Sequence, residues 1–530
     1  MKSLKRFLVQ LLLYASTAHA VWAEDVASHV DLLLKDGLIH TGDGAPPQIG
    51  SVAVVKDQIV GVGGSVPINA VRVIDCRGMM ICPGFIDLHN HSDESVLQPQ
   101  TRAAMNYVTQ GCTTIVTGNC GMGPVDVGRY YDRIEEQGAG LNVAHLISQG
   151  DLRREVVGMN PGRPTVLQMD EMLTRAKRAM SEGAWGMSTG LIYVPSSYAD
   201  TDELVHIAAA VGQAGGIYVS HIRNENAELL AAVEEALEIG RRAALPIHIS
   251  HFKSTGKNSW GLVRVAIKIV EKAQAAGIKV TADQYPYTAS STSLQATLIP
   301  TWARAGGREA MIARFNDPDE QKRIFGAMDE TLALLDGGQR LQIAAYDPNP
   351  SWGGERLSVL AEQMQVTPRE LALQMIRNGG ASIVNHSINE EDVRYVMQRD
   401  WVATASDGGA KLPGPTVPHP RSYGTFPRKI GHYAIREGVI SVSRAIRAAS
   451  GLPADVLGMS DRGYLRTGMM ADIVVLDPQR IIDKSTFAQP HQYSAGIVHV
   501  FVNGIPVIHD HVPTGALAGR ALRKAVAEQP

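Results

Sequence analysis

Between residues 83 and 461, short apolar stretches alternate with helix-forming ones at a spacing of about 30 residues, the length of one strand–helix–strand unit. Candidate strands fall at 113–117, 143–147, 186–189, 217–220, 247–250, 279–282, 383–385 and 402–405, with a further one around Ile86. Residues 225–243 are rich in Ala, Glu and Leu with apolar positions at helical spacing, and 262–276 has the same character. Such alternation confines the chain to the α/β class. It predicts a TIM-like (β/α)8 barrel over 83–461, with a doubly wound open sheet as the fallback.

Both ends of the chain depart from this rhythm. Residues 24–82 and 462–530 hold short β-prone runs punctuated by glycine, among them Ser51-Val-Ala-Val-Val and Gly496-Ile-Val-His-Val-Phe-Val. Because chain termini tend to lie close together, the two ends are expected to join into one small β-domain. Residues 300–350 are polar and interrupted by proline, which predicts an inserted small segment on a βα loop, at the face where barrel active sites form. A chain of 530 residues with 45% hydrophobic content can bury the core this requires.

The first 23 residues place Lys2, Lys5 and Arg6 before an apolar run at 7–15 and then small residues ending at Ala20 and Ala23. This is the order of a signal peptide, and the run is too short to span a bilayer. The expectation is an exported protein, periplasmic or secreted, with no membrane association after cleavage. Loss of three positive charges would take the net charge from -3 to -6, and no basic run elsewhere could track phosphates, so nucleic acid is not an expected partner. Four cysteines, Cys76, Cys82, Cys112 and Cys120, are too few for a disulfide scaffold, and spacing leaves the pairing of the first three undecided.

Chemistry concentrates at strand ends. Pro83-Gly-Phe-Ile-Asp-Leu-His-Asn-His91 reads as a buried strand delivering His89 and His91, and side chains two apart share a face. Thr113-Thr-Ile-Val-Thr-Gly-Asn-Cys-Gly places Cys120 just past another strand, where it is equally readable as a buried structural thiol. Tyr218-Val-Ser-His221 and Ile247-His-Ile-Ser-His251 both end in Ser-His, thirty residues apart. Packing does not explain that repeat. One thiolate with imidazoles suits Zn2+, and three protein ligands with an open position is the catalytic arrangement, able to activate water and polarise an amide carbonyl. Asp407, in Ala405-Ser-Asp-Gly-Gly, could carry the proton, although Asp-Gly is also a common turn.

In this order, His89-Asn-His91, Gly118-Asn-Cys120-Gly, Ser220-His221-Ile-Arg-Asn-Glu, Ser250-His251-Phe-Lys and Ser406-Asp407-Gly resemble the D-aminoacylase (N-acyl-D-amino-acid deacylase) branch of the amidohydrolase superfamily. Tyr285-Pro-Tyr-Thr-Ala-Ser-Ser and His419-Pro-Arg-Ser-Tyr extend the match, and the cysteine distinguishes this branch from relatives that bridge metals with a modified lysine or a glutamate. The resemblance implies a tight zinc on Cys120, His221 and His251, a second, weaker position on His89, His91 and Cys120, and Asp407 as general base and then acid. It also implies a small-molecule substrate, an N-acyl-D-amino acid. The substrate carboxylate calls for cations, with Lys253 and Arg421 as first candidates, Arg223 and Tyr193 near the same face, and Tyr285, Tyr287 and Ser291 as hydrogen-bonding groups. Asn385-His386 is a further polar wall candidate. The competing readings are a dipeptidase acting before a D-residue, a hydantoinase-like ring amidohydrolase, and a zinc-holding binding protein without catalysis.

Overall fold

Eight parallel strands form a closed ring in the computed structural model, which describes residues 29–525 apart from 65, 67 and 68. The predicted signal segment, residues 1–23, lies outside the described residues. Phe85–Asp87, Cys112–Thr117 and Asn142–His145 pair in parallel, and Ile147–Ser148 carries the third strand onward to pair with Gly186–Gly190. Ile217–His221, Ile247–Ile249, Val280–Gln284 and Val402–Thr404 follow in register. The last strand returns to the first through the amide of Asp407, which donates to the carbonyl of His89 at 2.8 Å, and the amide of His91, which donates to Gly408 at 2.7 Å. These closing bonds join the two segments that carry His89, His91 and Asp407. Alternate strand residues, including Ile86, Leu88, Val116, Ala144, Val219 and Ala403, pack in one cluster with Leu452 and Leu457 of the short helix Gly451–Leu457.

The candidate strand at 383–385 is real but is not in the barrel. Ser382–Asn385 runs antiparallel between Ser290–Ser293 and Leu341–Ala345 in a separate three-stranded sheet. Nine candidates for eight places is thereby resolved. The insertion accordingly runs from about 290 to 385 rather than over 300–350. Its helices Pro318–Leu334 and Pro368–Arg377 bury Ile324, Met328, Leu371 and Ile376 in a core separate from the barrel's. The stretch 300–350 is one part of it, contributing Met311, Phe315, Ile324 and Met328 to that core.

A nine-stranded sheet takes strands from both ends of the chain, with Met80–Pro83 lying between Val30–Ile39 and Ile473–Leu476. The assignment of all of 462–530 to this sheet needs correcting. After Val512–Pro513 the chain returns to the barrel, where Val143 donates to the Arg520 carbonyl at 2.9 Å and the Trp185 indole donates to the Leu522 carbonyl at 2.6 Å. All four cysteines are free and buried.

Candidate metal centre

Three of the chemistry-bearing residues sit in left-handed backbone immediately after their strands: Cys120 at φ 54°, His251 at φ 36° and Asp407 at φ 52°. Non-glycine residues rarely adopt this region, and here it turns each side chain back over the barrel mouth. The turn carrying Cys120 depends on Gly118, at φ 77°, where a Cβ would lie 2.2 Å from the Leu146 carbonyl oxygen.

The Cys120 Sγ lies 3.3 Å from His89 Nε2, 3.5 Å from His221 Nδ1 and 3.9 Å from His251 Nε2. Ligands on a tetrahedral zinc, with bonds of about 2.3 Å to sulfur and about 2.05 Å to nitrogen, would stand about 3.6 Å apart. The donor set therefore fits zinc in element and in its sulfur–nitrogen spacings, while His221 Nδ1 and His251 Nε2 stand closer together, at 2.8 Å. Cys120, His221 and His251 form one group whose donor atoms lie within 4.8 Å of one another; His89, His91 and Cys120 form a second, and His89, His251 and Asp407 a third. Burial raises the Cys120 thiol, but the imidazoles of His89 and His221 outweigh it and bring the group well below its ordinary value. Asp407 is likewise pushed up by burial and held well below the usual carboxylate range by Arg421, His89 and His251. Its Oδ1 lies 3.1 Å from His91 Nε2 and 3.4 Å from His89 Nε2, while Oδ2 accepts from Arg421 Nη1 at 2.6 Å.

Three carboxylates that the sequence reading did not single out brace this cluster. Glu225 faces His251 Nδ1 at 2.8 Å and accepts from Lys253 Nζ at 2.5 Å, which leaves His251 Nε2 turned toward Cys120. Asp283 accepts from the His251 amide at 2.7 Å, pairs with His248 Nε2 at 2.9 Å and lies 3.6 Å from His89 Nδ1. Asp87 accepts from the Ser406 amide and from Asn90 Nδ2, both at 2.8 Å, and so fixes the turn that presents Asp407. Such outer partners orient ligands and set their tautomers. Asp283 carried a legible signal, since it ends a strand as the histidines do. Glu225 sits in a loop, and its distance from His221 in sequence says nothing of its partner on the next strand.

A cavity of 390 Å³ opens over the cluster, lined by His91, Cys120, His221, His251 and Asp407 and also by Tyr193, Lys253, Tyr285, Ser291 and Arg421. Arg421 and Lys253 lie over the Tyr285 ring at 4.8 Å and 5.8 Å. Three expected wall residues are elsewhere. Arg223 is committed to Glu235 at 2.8 Å and to the carbonyls of Ser197 and Ala199, and it does not line the cavity. Tyr287 reaches Asp483 at 3.4 Å beneath the Arg428 guanidinium and is also off the wall. His386 turns to Gln342 and Phe487 instead of the site. Met122, Ile192, Thr292 and Ser293, none of them singled out in the sequence, also line it, as do Ser290 and Glu225.

A family model described as the amidohydrolase family matches residues 72–508. The chain belongs to the amidohydrolase family. Among its relatives, the D-aminoacylase of Alcaligenes xylosoxydans xylosoxydans is 32% identical over 94% of this chain and 98% of its own length. The N-acyl-D-glutamate deacylase of the same organism is 30% identical over 93% and 97%. The solved structure of the N-acyl-D-glutamate deacylase from Bordetella bronchiseptica, complexed with zinc and a phosphonate inhibitor that mimics the tetrahedral intermediate, superposes with a TM-score of 0.80 at 28% identity, covering 94% of this chain and all of that one. In this amidohydrolase the residue shared by the Cys120–His221–His251 and His89–His91–Cys120 groups is a thiol, Cys120.

Proposed function

We propose that this amidohydrolase cleaves the amide bond of N-acyl-D-amino acids, giving a carboxylate and a free D-amino acid. The observation that carries the reading is Cys120 standing between His89 and the His221–His251 pair, in a cavity whose wall presents Lys253 and Arg421. The deacylase relatives support the substrate class and the D configuration, and the zinc and phosphonate bound in one of them support hydrolysis with zinc.

Cys120, His221 and His251 would hold the tighter zinc, with His89 and His91 completing a second, weaker position that shares the thiol. Zinc bound there would supply a Lewis acid that polarises the amide carbonyl and acidifies water. The chain's own residues do the rest. Asp407, ionised and aimed at the histidines by Arg421, takes a proton from the attacking water and gives it to the leaving nitrogen as the C–N bond breaks. Arg421 and Lys253, backed by the Tyr285 ring, face the substrate carboxylate, and Tyr193 and Ser291 close the same wall.

The test is turnover of matched N-acetyl-D- and N-acetyl-L-amino acids by the zinc-loaded protein, with hydantoins as a ring control. Release of D-amino acids alone is expected. Activity confined to L-substrates or rings would overturn the reading. We also propose export, on the basic-then-apolar order of the first 23 residues, and the N-terminus of protein recovered outside the cytoplasm would read as residue 21 or 24.

A further inference from the structure

The deacylase reading fixes the scissile amide and the carboxylate beside it, and leaves the side chain of the D-residue open. The cavity over the metal centre bears on the charge of that side chain. Among the described residues, the lysines and arginines in its wall are Lys253 and Arg421 alone. Each already faces a carboxylate of the chain: Lys253 Nζ donates to Glu225 at 2.5 Å, and Arg421 Nη1 donates to Asp407 at 2.6 Å. Both also lie over the Tyr285 ring, at 5.8 Å and 4.8 Å, so a single substrate carboxylate can engage the two together. The α-carboxylate of an N-acyl amino acid uses that place.

The rest of the wall has nothing for a second one. Met122 and Ile192 are apolar, and the strand Ser290–Ser293 brings hydroxyls that are largely committed. Ser291 Oγ donates to the Ile383 carbonyl at 2.9 Å, Thr292 Oγ1 pairs with the Tyr193 hydroxyl at 3.1 Å, and Ser293 Oγ accepts from the Ala296 amide at 3.2 Å. Arg304 is turned behind this wall, where its Nη2 donates to the Ile192 carbonyl and the Thr301 hydroxyl, both at 3.0 Å. A side-chain carboxylate entering the cavity would exchange its water for a surface with no further ammonium or guanidinium, and an unpaired buried charge is costly. We propose that the site selects D-residues with uncharged side chains and rejects those with a side-chain carboxylate, and that Met122, Ile192 and the strand Ser290–Ser293 form the wall that discriminates. This rests on the deacylase reading and narrows its substrate class.

The N-acetyl derivatives of D-glutamate, D-glutamine and D-methionine test it on the zinc-loaded protein. Glutamate and glutamine side chains share one heavy-atom skeleton and differ in charge, and methionine supplies an apolar chain of similar reach. The expected result is a kcat/KM for D-glutamate at least ~30-fold below the better of the other two. A smaller ratio would overturn the inference and spare the deacylase reading, whereas no turnover of any D-substrate would sink both. A cation placed in the wall should then shrink the ratio at least ~10-fold. Ser290→Lys does this from the strand, and Met122→Lys repeats it from the turn after Cys120 should the first variant fail to fold or to bind zinc. A ratio unmoved by the cation would place the discrimination outside this wall and overturn the assignment.

Discussion

Glu225 offers the most discriminating perturbation, because it serves His251 and Lys253 at once. Glu225→Gln keeps the size and an oxygen acceptor but removes the charge. Two consequences follow from the distances: the His251 ring loses its ionic partner, and the Lys253 ammonium, 3.0 Å from His251 Nδ1, is left uncompensated beside the proposed zinc ligand. Loss of such a partner typically weakens metal binding about 10–100-fold, or roughly 1.4–2.7 kcal/mol. Zinc affinity measured by chelator competition should fall by that factor. Adding Lys253→Met removes the stranded cation, so Glu225→Gln/Lys253→Met should regain most of the affinity while kcat/KM stays low, the double variant having lost a cation that faces the substrate carboxylate. A zinc affinity for Glu225→Gln within twofold of the parent would refute the assignment of Glu225 as the partner of His251.

His91→Asn should retain more zinc than His221→Asn, since His221 belongs to the Cys120–His221–His251 group and His91 to the second; metal analysis after dialysis decides it, and the reverse order would move the tight site. Asp407→Asn should keep its zinc but lose about 10²–10⁴ in kcat, and turnover at the parental rate would remove Asp407 as the proton carrier. Burial holds the His40 imidazole at about 4, below its ordinary 6.5, so the unfolded chain binds more protons between these values. Its contribution is complete above pH 6.5 and is lost as pH falls toward 4, on the order of 3 kcal/mol in all. Urea denaturation at pH 6.5 and 4.5, with chelator present, should show a smaller pH loss for His40→Gln than for the parent, and identical losses would count against it.

The barrel was legible because most of its strands are short runs set off by helical stretches, and the candidate ligands were legible because a polar residue recurs at the same point of that unit. The surplus strand at Ser382–Asn385 has the same composition as a barrel strand. Only its antiparallel partners, Ser290–Ser293 and Leu341–Ala345, distinguish it, and pairing is not written in one segment. Arg223 misled for a related reason: it follows His221 closely, yet its side chain turns outward to Glu235 on the next helix. The bracing carboxylates Glu225 and Asp283 act across neighbouring strands, so their roles appear only once the ring has closed.

The seam at Met80–Pro83 has a consequence for the order in which the molecule assembles. All four of its residues are buried, and one side is covered by Ile473–Leu476, made roughly 390 residues later. At ~5–20 residues per second, that edge waits roughly 20–80 s for its partner during synthesis. Val143 at the barrel and the Trp185 indole find their partners, Arg520 and Leu522, only after that. The chain cannot complete this fold until residue 522 has been made, and it spends the interval with an apolar strand edge open to other chains. A truncation before residue 473 would make that interval permanent.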